Sequence, residues 1–485
     1  MSSIDKTSVR DQVNQLKADF HRLSASEKLS LETKTLVLGL LTLVEIMLAV
    51  FMEKKTPKNS KNSSIPPSQT EPDQSATSSS NENQAPTKKR RANKGSFGNQ
   101  KDRVHTRTIS VDFCETCSED LSEQPVDGLE RRTTIDIVFE KVTKHVDAEI
   151  KTCPQCDTVN KGRFPDNMPG PVQYGHGLRA YMLNLIIVQM VALNRVQQMV
   201  YAFIGQMVSE ATMLKYTIQL YWALEKWENE AFDWMLNQAV VNTDETSLKV
   251  NKKKQWIHVC SSGDVTLKFL HPKRGKEAIK EINFIPKYGG TIIHDCWASY
   301  LSYPHCQHGL CGSHLLRELT FIVESNHYRW AANMKRLLKQ TCKMVSKRKR
   351  KKLTQKEYDK LQRRYRHILT RGENEMPAIP PKPKTQRGKM AKSDAHNLWE
   401  RLQTYEEAVL LFAKLAEVPF TNNRAERDLR MSKVKQKVSG CFRVEKYAKA
   451  YCRISSYLQT MSAKGYNSLA AIEMAITGEI YNTKG

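Results

Sequence analysis

The sequence predicts an α/β protein: a ribonuclease-H-like core with a helical insertion, preceded by a helical coiled-coil segment and a small zinc-ribbon-like unit. Three observations carry that expectation. Short apolar runs after Gln238 follow the order of three strands, a helix, a strand, a helix and another strand. Two Cys-x-x-Cys pairs bracket a stretch too small for a core of its own, and the N-terminus carries leucines at helical spacing. With 485 residues, 40% of them hydrophobic, the chain has room for several cores and for roughly three domains. Lys and Arg number 76 against 51 Asp and Glu, a net charge of +25. That balance points to a polyanionic partner, either nucleic acid or an anionic membrane face. The 11 cysteines are too scattered for a secreted disulfide scaffold, and the opening MSSIDKTSVRDQ lacks the pattern of a signal peptide.

Residues 1–53 read as a helical oligomerisation segment. The run Leu36 to Met52 is about three residues short of a bilayer span and has Glu45 at its centre. Leu36, Leu40, Leu43, Met47 and Val50 alternate four and three apart, the seam of a coiled coil. Val9, Val13, Leu16, Phe20 and Leu23 repeat that spacing, so a self-associating hairpin or coiled coil is favoured over a membrane anchor. Residues 54–103 turn to Ser, Asn, Gln, Pro and Lys and read as a disordered basic linker. Its cluster Lys88 to Arg91 is either a solvated tail or a weak grip on phosphates.

Residues 104–160 form the zinc-ribbon-like unit. Cys114, Cys117, Cys153 and Cys156 offer four thiolates, which suit a structural Zn²⁺. Between the pairs, Ile135, Ile137 and Phe139, then Val146, Ala148 and Ile150, alternate at strand period, which predicts a hairpin joining the two knuckles. Residues 161–236 turn helical, with a core helix from Tyr181 to Leu193. A helix, a glycine turn at Gly205 and a second helix capped by Ser209 follow helix-turn-helix grammar. That pair is either a DNA reader or a plain packing unit.

The ribonuclease-H-like core is assigned to residues 237–325 and 401–445. One strand ends in Asp244 and another in Asp295, and in the expected sheet these two strands are neighbours. Paired carboxylates on adjacent strand ends suit two hard divalent cations, Mg²⁺ or Mn²⁺, of the kind that assist phosphodiester chemistry. A third acid from a later helix is expected, and Glu426 offers it among Arg424, Arg427 and Arg430. Each acid has a bland alternative as a turn former or a surface carboxylate. Residues 326–400 are a basic helical insertion, with Lys347 to Lys352, Lys356, Lys360, Arg363, Arg364 and Arg366 suggesting a long helix against a duplex. Lys433, Lys435, Lys437 and Arg443 extend a basic stripe after Glu426. Residues 446–485 supply final helices expected to pack under the sheet.

These motifs together resemble the transposases of the insertion sequence 66 family, a branch of the DDE recombinases. The resemblance rests on the leucine-rich N-terminus, Lys58-Asn-Ser-Lys-Asn-Ser-Ser64 leading to Pro66-Pro67-Ser68, and the paired cysteines. It continues through Tyr174-Gly-His-Gly-Leu-Arg-Ala-Tyr181, Thr243-Asp-Glu-Thr246, and His294-Asp295 with Tyr300. Cys311-x-x-His314 with Arg317, and Asn422-Asn423-x-Ala-Glu426-Arg427, complete it. Ser247, Leu316 and Cys296-Trp297 depart from the family pattern without removing an acidic residue. The resemblance implies that Asp244, Asp295 and Glu426 are catalytic metal ligands. It implies a DNA transposase that cleaves at transposon ends and transfers the 3′-hydroxyl into target double-stranded DNA. It further implies a homo-oligomer, accessory proteins of the same element and a cytoplasmic, nucleoid-associated bacterial location. The competing readings are a non-catalytic zinc-ribbon DNA-binding regulator and a structure-selective nuclease.

Overall fold

The computed structural model describes residues 6–25, 30–55, 58–59, 61–63, 106–135, 140–166, 168–379 and 392–479. The chain divides into two compact units, residues 1–86 with 229–437 and residues 87–228 with 438–483. In the first unit, α1 (Lys6–Ala25) and α2 (Leu31–Lys55) form a helical hairpin. Glu45, the charge that interrupts the apolar run, is held by Lys17 at 2.8 Å. Val13 and Phe20 are buried, whereas Leu36, Leu40, Leu43 and Met47 remain exposed. Among the described residues no helix is long and apolar enough to cross a membrane.

Within the stretch expected to be linker lies a short ordered turn. The Asn59 side chain accepts hydrogen bonds from the backbone N–H groups of Lys61 and Asn62, at 2.8 and 3.2 Å. The basic cluster Lys88 to Arg91 lies outside the described residues, as do Ile137 and Phe139.

Both cysteine pairs form the same knuckle. The Cys114 N–H donates to Glu119 O and the Ser118 N–H to Cys114 O; Cys153, Thr158 and Asp157 repeat the pattern. Ser118 and Asp157 take left-handed φ values of 62° and 54° to close the two turns. The expected hairpin between the knuckles is displaced. Instead, β1 (Ile150–Thr152) and β2 (Val159–Lys161) pair antiparallel around the second knuckle, and residues 140–149 form no strand. Val146 and Ile150 are exposed, so no core rewards their alternation.

The helical region is α3 (His176–Leu183), α4 (Leu193–Ile204), α5 (Glu210–Ala223) and α6 (Glu225–Leu236). The single helix expected over Tyr181 to Leu193 is broken: a π-turn at Asn184–Val188 closes α3, and Met190 is left-handed. The α4–α5 pair matches its sequence grammar. Gly205 sits at φ 66°, and the Ser209 side chain accepts from the Thr212 N–H at 3.1 Å.

A five-stranded mixed sheet follows, from β3 (Val240–Val250), β4 (Lys253–Ser262), β5 (Val265–His271), β6 (Thr291–His294) and β7 (Gln307–Leu310). Its order is β5-β4-β3-β6-β7; the β3–β4 and β4–β5 pairs are antiparallel, and β6 is parallel to both β3 and β7. Between β5 and β7 lie α7 (Lys276–Ile282) and the one-turn α8 (Ala298–Leu301). The first strand is longer than expected. It continues to Val250 because β4 supplies partners along it, while β6 pairs only with Val240 to Asn242.

A helical layer then covers one face: α9 (Gly312–Asn326), α10 (Arg329–Lys347), α11 (Gln355–Glu375), α12 (Asp394–Thr404) and α13 (Glu406–Lys414). Ile293 and Leu310 of the sheet share one core with Leu319, Trp330, Leu338, Tyr365, Leu398 and Leu411. The expected long basic helix is two helices. Lys349 to Lys352 form the turn between α10 and α11, and a capping box of Thr354 and Glu357 restarts the helix.

The last helices are α14 (Asn423–Ser439), α15 (Glu445–Ala463) and α16 (Ser468–Thr477). In the second unit, α15 packs against α5 and α16 against α3. Tyr457 meets the buried Trp227 edge-on at 5.1 Å, and Arg453 stacks on Tyr221 while binding Glu228 at 2.7 Å. The apolar Ile454, Leu458 and Met461 of α15 are buried as well.

Gly312 opens α9 and donates its N–H to Phe420 O at 2.8 Å. A Cβ there would enter the Phe420 ring. Gly312→Ala is expected to cost about 1–3 kcal/mol, measured as a shift in the urea midpoint of the intact chain.

Candidate metal and nucleic-acid site

The acidic site is built where parallel pairing stops. The β3–β6 register runs Val240↔Thr291 to Asn242↔Ile293. Carried two residues further, it sets Asp244 beside Asp295, each just past the last paired residues. The third acid comes from the first turn of α14, which two polar side chains seat on the sheet. Asn422 donates to Thr243 O at 2.7 Å, accepts from the Asn242 amide at 2.8 Å, and gives its backbone N–H to Cys311 Sγ at 3.1 Å. Asp428 accepts from Ser261 and Thr266 hydroxyls, at 2.7 and 2.9 Å, on β4 and β5.

Of the three carboxylates, Glu426 has a cationic neighbour within ion-pair distance, His314 Nδ1 at 3.7 Å. Burial first, then the charge of Glu245 and those of Asp295 and Glu426, push the Asp244 carboxyl up to about 8. Asp295 Oδ1 and Glu426 Oε1 are buried atoms without a hydrogen-bond partner. Buried acceptors left open in this way fit a divalent cation better than they fit a packed apolar core. The three carboxylates do not, however, close on a common centre. Among the described residues the one tight group of possible ligands is Cys311, His314 and Glu426, whose ligand atoms lie within 4.8 Å of one another.

Neighbouring residues hold the acids in place. Glu245, next to Asp244, takes Arg274 at 2.6 Å and the Tyr300 hydroxyl at 2.5 Å. Arg274 is stacked between Trp256 and Trp297. His294, before Asp295, hydrogen-bonds His308 at 3.0 Å, and burial drives its pKa down to about 3, so it is neutral. Cys311 and His314 face each other. Burial alone would lower the His314 pKa, but the hydrogen bond and charge of Cys311, with the negative charges of Glu426 and Asp295, lift it to about 9.

The residues expected to meet DNA divide. Arg427, Arg430, Lys433 and Lys437 are exposed on α14, and Glu426, Arg430, Lys433 and Lys437 recur at helical spacing on one side. Arg443 is exposed beyond the helix. Arg424 instead turns inward to Asp428 at 2.8 Å and Gly263 O at 2.9 Å. Lys435 is buried, and desolvation lowers its pKa. Their phase on the helix explains both: they share its sheet-facing side with Ala425, Asp428 and Ser432.

A scan of family descriptions matches residues 171–450, more than half of the chain, to the Transposase IS66 family. The chain belongs to that family. No curated protein matches it. The IS66 match covers Asp244, Asp295, Glu426 and all of α14, and ends before most of α15. It begins after the cysteine pairs, so those four residues and the N-terminal hairpin stand on sequence and geometry alone. Each pair keeps its knuckle, but the four thiols do not form a ligand group in this structure. Sequence reasoning assigned no role to Asn422 or Asp428. Their signal was their place four residues before Glu426 and two after it, polar residues bracketing a candidate ligand.

Two outcomes follow from this geometry. The folded Asp244 pKa of about 8 lies above its ordinary 3.8, so unfolding releases a proton between those values. Stability of the metal-free chain therefore falls as pH rises across that window and levels off above it. Asp244→Asn removes the buried charge and is expected to raise metal-free stability by about 1–3 kcal/mol above pH 8, read from thermal melts across pH. Asn422→Ala leaves Thr243 O and the Asn242 amide without partners and is expected to cost about 2–4 kcal/mol, measured by chemical denaturation.

Proposed function

We propose that this chain is a DNA transposase that cuts at the ends of its element and joins the freed 3′-hydroxyl to target DNA. One observation carries the reading: Asp244 and Asp295, at matching positions where two adjacent parallel strands stop pairing, lie close enough to a third acid, Glu426, for their charges to act together, and the helix that carries Glu426 continues on its exposed side as Arg430, Lys433 and Lys437. A mixed sheet in the order β5-β4-β3-β6-β7 is compatible with the ribonuclease-H-like core that the sequence leads one to expect, which supports the same reading. Asp244, Asp295 and Glu426 would hold Mg²⁺ or Mn²⁺. When bound, such ions activate water or a 3′-hydroxyl and stabilise the charge on the leaving oxygen. The chain's own part is to hold Glu426 near the two strand carboxylates through Asn422 and Asp428. The exposed Arg and Lys residues of α14 then grip the phosphates leading away from Glu426. Arg424 and Lys435 drop out of this grip.

The other segments take supporting roles in this proposal. Cys114, Cys117, Cys153 and Cys156 would bind Zn²⁺ once the two knuckles meet, and the α4–α5 pair would help to read the transposon ends. The exposed leucines of α2 would pair two copies of the chain, so that two DNA ends are held together in the bacterial nucleoid. Solvent-exposed Lys349, Arg350 and Lys352, with Lys356, Lys360, Arg363 and Arg364, offer a further basic surface.

The test is incubation of the full chain with labelled DNA carrying the element's ends, with the element's other proteins added, in the presence and absence of Mg²⁺. Metal-dependent nicking and joining is expected, reduced roughly a thousandfold or more in Asp244→Asn and Glu426→Gln. Unchanged activity in either variant would overturn the metal assignment. Replacing Arg430, Lys433 and Lys437 with Gln is expected to weaken DNA binding at all sequences. The log–log salt slope should drop by about 0.9 for each phosphate that is no longer neutralised, measured by fluorescence anisotropy.

A further inference from the structure

We propose that Cys311, His314 and Glu426 make a second cation site, suited to zinc-like ions, that shares Glu426 with the Mg²⁺ site. Cys311 precedes α9, His314 lies in its first turn, and Glu426 lies in the first turn of α14. The latch at Asn422 joins those two helix starts directly, through its N–H to Cys311 Sγ. Sulfur, nitrogen and oxygen therefore converge, with every ligand atom within 4.8 Å of the others.

His314 Nδ1 and Glu426 Oε1 are both buried without a hydrogen-bond partner, and they stand 3.7 Å apart. That is too long for a hydrogen bond. It is close to the separation of two ligands on one tetrahedral ion, about 3.3–3.5 Å for metal–ligand lengths of about 2.0–2.2 Å. The Asn422 N–H at 3.1 Å is the kind of outer partner that orients a ligating thiolate. Beside the group, Asp295, Cys311 and His314 line a hollow of about 220 Å³. A water takes about 30 Å³ of liquid volume, so the hollow has room for an ion's remaining ligand.

Ligand chemistry separates the two sites. Three carboxylates favour a hard cation, whereas thiolate, imidazole and a single carboxylate favour zinc. On binding, the Cys311–His314 pair gives up its protons to solvent, so that the sulfur ligates as thiolate and the ring as neutral imidazole. Glu426 is common to both sites, so filling one changes the charge and the free oxygens that the other finds there. This coupling rests on the catalytic reading above; the cation site itself does not.

The test uses Co²⁺, whose tetrahedral thiolate complexes absorb visible light, with the full chain and its four N-terminal knuckle cysteines intact. Equilibrium dialysis and absorbance are expected to count one more Co²⁺ in the wild type than in Cys311→Ser. His314→Asn is expected to show the same deficit, and Glu426→Gln to bind the extra ion roughly tenfold or more weakly. Thermal melts verify the fold of each variant, and His314→Asn carries the test if Cys311→Ser does not fold. Equal Co²⁺ counts in wild type and in a folded Cys311→Ser or His314→Asn would overturn the site. Asp244→Asn separates the two proposals: it is expected to keep the extra Co²⁺ and lose Mg²⁺-dependent DNA cleavage. Cleavage retained in Asp244→Asn would sink the catalytic reading while the Co²⁺ count stands.

Discussion

Helix α14 is held against the sheet by two polar side chains, and the geometry of the acidic site follows from that seating. Asn422 ties the helix start to β3 and to Cys311, and Asp428 ties its second turn to β4 and β5. Glu426 lies between these anchors, so its backbone is fixed from both sides. An apolar contact would bury comparable area without specifying rotation about the helix axis. Directional hydrogen bonds to three strands do specify it, and that rotation decides whether Glu426 faces the two aspartates.

The same rotation sorts the basic residues. Once Asp428 and Ser432 face the sheet, Arg424 and Lys435 must follow them inward, and Arg430, Lys433 and Lys437 must face out. The helix thus places one carboxylate and a row of cations on a single side. Beneath it, Asp244 is buried beside other acids at a cost in stability. Placing carboxylates together is a local conflict of the kind that folded proteins carry at working sites. In the proposed function a bound cation would relieve the conflict, which would couple metal binding to the folding of this corner.

Much of the core was legible because its signals are local. Strand periodicity after Gln238 predicts every strand of the sheet, and the two aspartates are adjacent through β3–β6 pairing as the expected order requires. The glycine turn at Gly205 and the Ser209 cap were equally legible, since each depends on a single backbone conformation. What failed depended on distant partners. Asp244 does not end its strand, because β4 pairs with residues that β6 leaves alone. Val146 and Ile150, part of the strand pattern between the cysteine pairs, are exposed, and the C-terminal helices meet Trp227 and Tyr221 within their own unit. Arg424 and Lys435 look like their neighbours in composition. Only the phase fixed by Asp428 distinguishes them. In sequence Cys311 and His314 are two ligands, too few for a site, and read as structural; the third, Glu426, arrives from more than a hundred residues away.

If Asp244, Asp295 and Glu426 hold a cation as proposed, Asp428 governs that site at one remove by orienting α14. Calorimetric titration of the full chain with Mn²⁺ is the direct test, comparing wild type, Glu426→Gln and Asp428→Ala, each shown to be folded by its thermal melt. Asp428→Ala is expected to lose Mn²⁺ affinity by roughly ten- to a hundredfold, approaching the loss in Glu426→Gln. Wild-type Mn²⁺ affinity in a folded Asp428→Ala, with Glu426→Gln alone impaired, would contradict it.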